Sequence, residues 1–344
     1  MIVVKNRQTA GGHHESVVAA RETTVKGEWH VRADRVTTYL YTYACHEDET
    51  ELCALELRTL LGAEPSEGIA ESGTAVDPSR SPFVKMRIAV LYEAESLEAL
   101  CGRVEELDLH GATFKVLFAV GSGIDYDKAR AIERAVGLHI RGKADMRSPD
   151  KLYGIAVRDG RWLFGECIRS EAVWLKHAKK PQNYSTALST RMARAVANIA
   201  VPDPAGVKAV DPCCGIGTVL VEAMSMGIDI AGYDINPLAV RGARTNLAHF
   251  GLPNVVAIGD VRELTGSYDA AILDMPYNLC SKLSPGDQLS MLEGAGRLAG
   301  RVVIVTAEPI EEAVGLAGLA IADRCEARKG SFVRQVLVCV RAAR

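Results

Sequence analysis

The sequence predicts an α/β protein: a doubly wound parallel sheet over residues 205–344, preceded by a smaller α+β unit over 37–175. Three observations predict this. From residue 205 onward, short apolar strands alternate with amphipathic helices, the order that builds a parallel sheet covered on both faces. The first of those strands runs straight into a glycine-bearing loop, Asp211-Pro212-Cys213-Cys214-Gly215-Ile216-Gly217, and then into a helix. Before residue 176, strands and helices mix without that regular alternation. At 344 residues the chain has room for about two domains.

Residues 1–36, which include Gly11-Gly12-His13-His14, lack periodicity and are expected to form a flexible tail. The aromatic and Thr-rich run at 38–43 reads as a strand. A helix over 49–61 carries Leu52, Leu55, Leu57, Leu60 and Leu61 and is stopped by Gly62. Pro, Ser and Gly make 63–82 a long loop. A strand over 86–92, a helix over 97–104 and a strand over 114–120 follow. A further helix over 127–136 has Gly137 as its stop, and Asp159-Gly160 joins strands over 153–157 and 162–168 in a hairpin. Residues 176–204 form a linker helix with Leu188, Met192, Val196 and Ile199 on one side, closed by Pro202. In the alternating part, strands are expected over 207–210, 228–233, 255–258, 270–273 and 301–305. The helices lie near 217–226, 237–250, 288–299 and 310–318. Two late strands, 321–323 and 333–340, are close enough to pair as an antiparallel hairpin at the sheet edge.

Apolar content of 48% and charged content of 24% are those of an ordinary globular protein. No apolar run approaches the ~20 residues that span a bilayer, and Lys5, Arg7 and the nearby histidines interrupt any secretory core. A cytoplasmic protein without a membrane partner is expected. The nine cysteines include no C-x-x-C pair and no accompanying His cluster, so reduced thiols and no obligatory metal are expected. Net charge is −3, yet residues 121–200 hold 15 Lys and Arg against 8 Asp and Glu. A basic middle in an otherwise acidic chain is a candidate phosphate footprint. Lys179, Lys180, Arg191 and Arg194 are its candidate RNA-binding residues. No protein partner is indicated.

In the first glycine loop, Gly215 and Gly217 let backbone N–H groups approach a ligand where a Cβ would clash. The loop lacks both G-x-G-x-x-G and G-K-[ST], which disfavours a dinucleotide or a triphosphate. Asp211, Cys213, Gly215 and Gly217 are therefore candidates for holding a nucleoside cofactor. The second strand ends in Asp234-Ile235-Asn236-Pro237, and Asp234 stands 23 residues after Asp211, near the ~20-residue offset at which an acid binds ribose hydroxyls. Ile235 lies beside it, while Asn236 is placed to cap the next helix with Pro237 at its first position. Asp260, after the third strand, is positioned to accept from an adenine amino group.

The fourth strand ends in Asp274-Met275-Pro276-Tyr277. An exocyclic base amine is a poor nucleophile because its lone pair is delocalised. The Asp274 carboxylate and the Met275 carbonyl can accept its hydrogens and expose that lone pair. Pro276 stiffens the turn and Tyr277 can stack on the base. Methyl transfer to a base amine follows as the expected chemistry.

These residues resemble the successive motifs of Rossmann-like S-adenosylmethionine-dependent amino-methyltransferases. The segment Lys180-Pro181-Gln182-Asn183-Tyr184-Ser185-Thr186-Ala187-Leu188 and the helix Arg191-Met192-Ala193-Arg194-Ala195 are similar to those of the THUMP-containing tRNA guanine-N2 methyltransferases. Residues 151–168 look like the end of a THUMP module, and 38–62 like its preceding ferredoxin-like unit. The resemblance implies S-adenosyl-L-methionine as cofactor, tRNA as partner and methylation of a guanosine N2 amine, typically at position ten. The family's usual reaction motif is D-P-P-Y, and here Met275 replaces the first proline. A DNA amino-methyltransferase and a non-catalytic RNA-binding factor retaining the fold are the competing readings. A dehydrogenase is further off, because the glycine spacing is wrong.

Overall fold

The computed structural model describes residues 38–121, 123–184, 187–276 and 283–342; the expected N-terminal tail lies outside them. The first part of the chain builds β1 (Tyr39–Tyr43), α1 (Thr50–Leu61), β2 (Ile69–Ser72), β3 (Val84–Ala94), α2 (Leu97–Val104), β4 (Phe114–Val120), α3 (Tyr126–His139), β5 (Lys151–Arg158) and β6 (Arg161–Arg169). The strands form one six-stranded sheet in the order β2-β1-β3-β6-β5-β4. Gly62 ends α1 in the left-handed region at φ 64°. Asp159 and Gly160 take φ 50° and 75°, the pair of positive values that closes a tight hairpin between β5 and β6.

Two local expectations are corrected. The stretch 63–82 is not all loop, since β2 pairs antiparallel with β1. Helix α3 also continues through Gly137 to His139. A glycine inside a helix costs only about 1 kcal/mol, and Ile132, Val136 and Ile140 are buried in one cluster with Phe114, which holds the last turn in place.

A short α4 (Trp174–His177) and α5 (Thr190–Ala200) lead into the second sheet. It comprises β7 (Lys208–Asp211), α6 (Thr218–Ser225), β8 (Asp229–Asp234), α7 (Pro237–His249), β9 (Val256–Ile258), β10 (Tyr268–Asp274), α8 (Pro285–Leu298), β11 (Ala299–Thr306), α9 (Glu311–Leu316), β12 (Leu319–Lys329) and β13 (Phe332–Arg341). The strand order is β12-β13-β11-β10-β7-β8-β9. Strands β7 to β11 run parallel, and β13 lies antiparallel to both β11 and β12. The expected late hairpin is therefore present, with β12 longer than the sequence suggested. One face of the sheet buries Ala209, Ile230, Ile272, Val303 and Val336 with α5 and α6, and Leu52, Leu55 and Leu57 of α1 join that core. The other face buries Val210, Leu273, Ile304 and Leu337 against α8.

Helix α5 is buried nearly all round rather than on one side. Arg194, expected on an RNA-facing surface, is only 2% exposed. Its guanidinium donates to Glu222 at 2.9 Å, to Ser225 Oγ at 3.0 Å and to the Ser79 and Arg80 carbonyls at 2.8 Å each. Trp174 lies 5.5 Å beneath it. Glu222, itself buried, also meets His177 Nδ1 at 2.8 Å. Nearby, Asn198 donates to Glu56 at 2.6 Å, and Ser81 Oγ donates to the other oxygen of that carboxyl at 2.6 Å. Burial pushes Glu56 up to about 7 against these hydrogen bonds. This polar network ties α1 and the turn before β3 to α5 and α6.

Among the described residues, no helix is long and apolar enough to cross a membrane and no group of three metal-ligating side chains forms. The eight described cysteines are all free thiols.

Removing Arg194 would strip the buried Glu222 of its arginine partner and leave it the His177 contact. Arg194→Ala is expected to lower stability by about 3–5 kcal/mol, the usual cost of breaking a buried pair from one side, read by urea unfolding. Unchanged stability would show that the network is not structural.

Candidate active site

The carboxyl ends of the parallel strands line a cavity of about 470 Å³, within the ~300–1,000 Å³ typical of small-ligand sites. It sits where the strand order reverses between β7 and β10, the place where open α/β sheets bind ligands.

The loop after β7 forms its floor. Asp211 is 2% exposed, and its carboxylate accepts from the Cys213 N–H at 3.2 Å. The Cys214 N–H reaches the Tyr233 carbonyl of β8 at 2.8 Å, and the Gly217 N–H the Cys214 carbonyl at 2.8 Å. Gly215 and Gly217 adopt φ 54° and 77°. A Cβ on Gly215 would stand 2.5 Å from the Tyr184 hydroxyl, so glycine here lets that tyrosine cover the loop. Helix α6 starts at Thr218 with Gly217 as its N-cap and no side-chain cap. Thr218 Oγ1, on the cavity wall, is buried without a hydrogen-bond partner.

Asp234, at the end of β8, accepts from the Gly215 N–H at 2.8 Å and the Asn236 N–H at 2.8 Å. It thus fixes the glycine loop and its own turn together. Asn236 caps α7 through the Leu238 N–H at 3.0 Å, as expected, and Ile235 lies on the cavity wall. Asp260 lines the cavity but is not a bare turn carboxylate. Arg262 grips it from Nε at 3.0 Å and from its NH2 at 2.6 Å, and that contact holds the Asp260 carboxyl below the usual range. The same guanidinium donates to Asp287 in the first turn of α8 at 2.9 Å.

Asp274 ends β10 on the same cavity. Burial pushes its carboxyl up to about 7, opposed by the positive charge of Arg334. Burial raises Asp211 well above the usual range, and the neighbouring Asp274 and Asp234 charges add to the effect. Met275 donates its N–H to the Val305 carbonyl at 2.8 Å. Its side chain, 4% exposed, packs with Val210, Leu273 and Ile304. Pro276 is exposed on the cavity lip. Tyr277 lies outside the described residues.

Tyr184 was not among the residues expected to line the site, although it stands within the quoted bridge motif. Its hydroxyl is pushed up to about 12 by burial and by the charges of Asp234 and Asp274. An aromatic in an otherwise polar linker was the available signal. The four expected RNA-binding cations divide. Lys179 is exposed, and Arg191 is exposed and paired with Glu49 at 3.0 Å. Lys180 is only 9% exposed, and burial lowers its ammonium pKa. Arg194 lies inside the network already described. Charge in the sequence did not distinguish a surface cation from one holding two layers together.

The chain is similar to methyltransferases. Residues 177–282 match the UPF0020 family model, described as an RMKL-like methyltransferase domain. The chain is 29% identical, over 68% of its length and 76% of the relative's, to the tRNA (guanine(10)-N2)-dimethyltransferase of Methanothermobacter thermautotrophicus. It is 28% identical to the protein of the same name from Pyrococcus abyssi, over 45% of this chain and 50% of that one. It is 27% identical to the mouse U6 snRNA (guanine-N(2))-methyltransferase THUMPD2, over 72% of this chain and 46% of that one. The crystal structure of TrmN from Thermus thermophilus aligns with 88% of this chain and 99% of its own at TM-score 0.47 and 19% identity.

The residues of the cavity suit S-adenosylmethionine. The open N-terminus of α6 and the unpartnered Thr218 hydroxyl suit a carboxylate, and the buried acids suit a cation. Asp234→Ala would remove two charge-assisted hydrogen bonds from the loop. It is expected to weaken S-adenosylmethionine binding by about tenfold or more, read by calorimetry. Unchanged affinity would remove Asp234 from the cofactor machinery.

Proposed function

We propose that this protein transfers methyl groups from S-adenosylmethionine to the exocyclic N2 amine of a guanosine in tRNA. The observation that carries the reading is the Asp274-Met275-Pro276 lip at the end of β10, which opens onto the cavity formed by the glycine loop. The names of the relatives support guanosine as the base and tRNA as the RNA.

In this reading Asp234 holds the ribose, and its grip on Gly215 keeps the glycine loop in place beside the cofactor. Asp211, Cys213, Gly217 and Ile235 shape the same cradle. Asp260, held by Arg262, still has lone pairs for an adenine amino group. S-adenosylmethionine supplies a methyl group on a positive sulfonium, so the acceptor nitrogen needs alignment more than a strong base. The Asp274 carboxylate and the Met275 carbonyl accept the two amine hydrogens, which directs the nitrogen lone pair toward the methyl group. Tyr277 stacks on the base. When the N–C bond has formed, Asp274 takes the surplus proton, a role suited to a carboxyl near 7. The N-terminal sheet is the proposed THUMP-like RNA-binding part.

Because burial raises Asp274, its carboxylate is present above about pH 7 and protonated below. The rate kcat/KM is therefore expected to rise with pH through about 7. Asp274→Ala is expected to abolish turnover while sparing cofactor affinity. A flat profile with unchanged turnover in the variant would remove Asp274 from the chemistry. The direct test is incubation with labelled S-adenosylmethionine and unmodified total tRNA, followed by nucleoside analysis. Labelled N2-methylated guanosine is expected; labelled adenosine, or label in DNA alone, would overturn the reading.

A further inference from the structure

A second and larger groove, of about 1220 Å³, shares Tyr184, Ala187 and Leu188 with the cofactor cavity. At that size it exceeds the usual range for small-ligand pockets. One wall is the tip of the β12–β13 hairpin, with Arg328, Lys329, Phe332 and Arg334. The register explains why the tip is there. Thr306, the last residue of β11, pairs with Gln335, and Lys329 pairs with Phe332. The hairpin therefore runs past the carboxyl end of β11, at the edge of the sheet where Asp274 ends its own strand. The other wall comes from the first part of the chain, with His46 and Lys85, and from Arg191 at the start of α5.

The groove has two zones. Its floor is apolar: Leu52, Trp174, Leu188 and Met192 are buried beneath it, and Leu175 and Tyr184 are exposed on it. Its rim is basic and exposed at Lys85, Arg191, Arg328 and Lys329. Counting the buried Lys180 and Arg334, the lining holds six Lys and Arg against Asp48 and Glu49, a surplus of four. Two rim cations are shared with acids, Arg191 with Glu49 at 3.0 Å and Arg328 with Glu326 at 3.0 Å. An apolar floor under a basic rim matches an unpaired nucleotide strand, whose bases seek apolar or aromatic faces while its phosphates seek cations. A folded protein segment would need acidic side chains at the rim spacing. A duplex would offer phosphates but no free bases for the floor.

We infer that this groove carries the unpaired RNA strand next to the target guanosine, its phosphates on Lys85, Arg191, Arg328 and Lys329, and delivers the base past Tyr184 into the cofactor cavity. The inference rests on the reading of the protein as an RNA methyltransferase. It also gives the late hairpin a task beyond closing the sheet edge.

The test uses the full chain and unmodified tRNA, with dissociation constants measured across a salt series. The double variant Arg328→Ala/Lys329→Ala and the single variant Lys85→Ala address the two walls. Lys208→Ala, an exposed cation at the amino end of β7, serves as the control on the opposite edge of the sheet. Both rim variants are expected to bind tRNA about tenfold more weakly, with the salt slope falling by about 0.7 for each phosphate no longer neutralised. S-adenosylmethionine affinity should stay unchanged, and the control should match the wild type. A wild type that methylates tRNA while both rim variants keep its affinity and salt slope would overturn the groove alone. A wild type that labels no RNA would instead overturn the reading beneath it.

Discussion

After β7 the chain winds outward through β8 to β9 and then returns to begin β10 on the other side of β7. The connections that follow β7 and β10 therefore lead away from each other, which leaves a crevice between the carboxyl ends of the two strands. The site follows from that constraint. Each strand that ends at the crevice delivers one acid to it: Asp211 from β7, Asp234 from β8 and Asp274 from β10. Two of them are held away from water, and their carboxyls are raised as a result. Like charges gathered in a poorly solvated space are costly to the empty protein. The same arrangement favours a ligand that brings a positive charge.

The acids are not equivalent, because their partners differ. Asp234 is satisfied by two backbone N–H groups and serves the backbone as much as any ligand. Asp260 is gripped by an arginine that also reaches the first turn of α8. Asp274 is raised by burial, with Arg334 as the counter-charge.

Much of this was legible in the sequence, for local reasons. Gly62 and Asp159-Gly160 mark conformations that few other residues adopt, and the alternation from 205 onward reflects a periodicity that only a covered parallel sheet needs. The placement of Asp274 and Pro276 on the cavity was legible because an acid and a proline directly after an apolar strand leave little choice of position. Burial of charge was not legible. Arg194 and Lys180 read as surface cations because burial is set by distant parts of the chain, which for Arg194 supply its partners Glu222, Ser79 and Arg80. Tyr184 was missed for a related reason, since its role depends on the space above Gly215, which spacing along the chain does not encode. Strand β2 was hidden by its Pro, Ser and Gly neighbours and exists because β1 offers it an open edge.

Met275 departs from the D-P-P-Y pattern, and the structure separates the two things this position provides. Its backbone N–H is tied to the Val305 carbonyl, whereas its side chain belongs to the core formed with Val210, Leu273 and Ile304. A residue at 275 is therefore constrained by the hydrophobic interior beneath it. Sequence drift at this position can then record the repacking of a sheet. A motif search that scores side-chain identity here would be reading the stability of the fold.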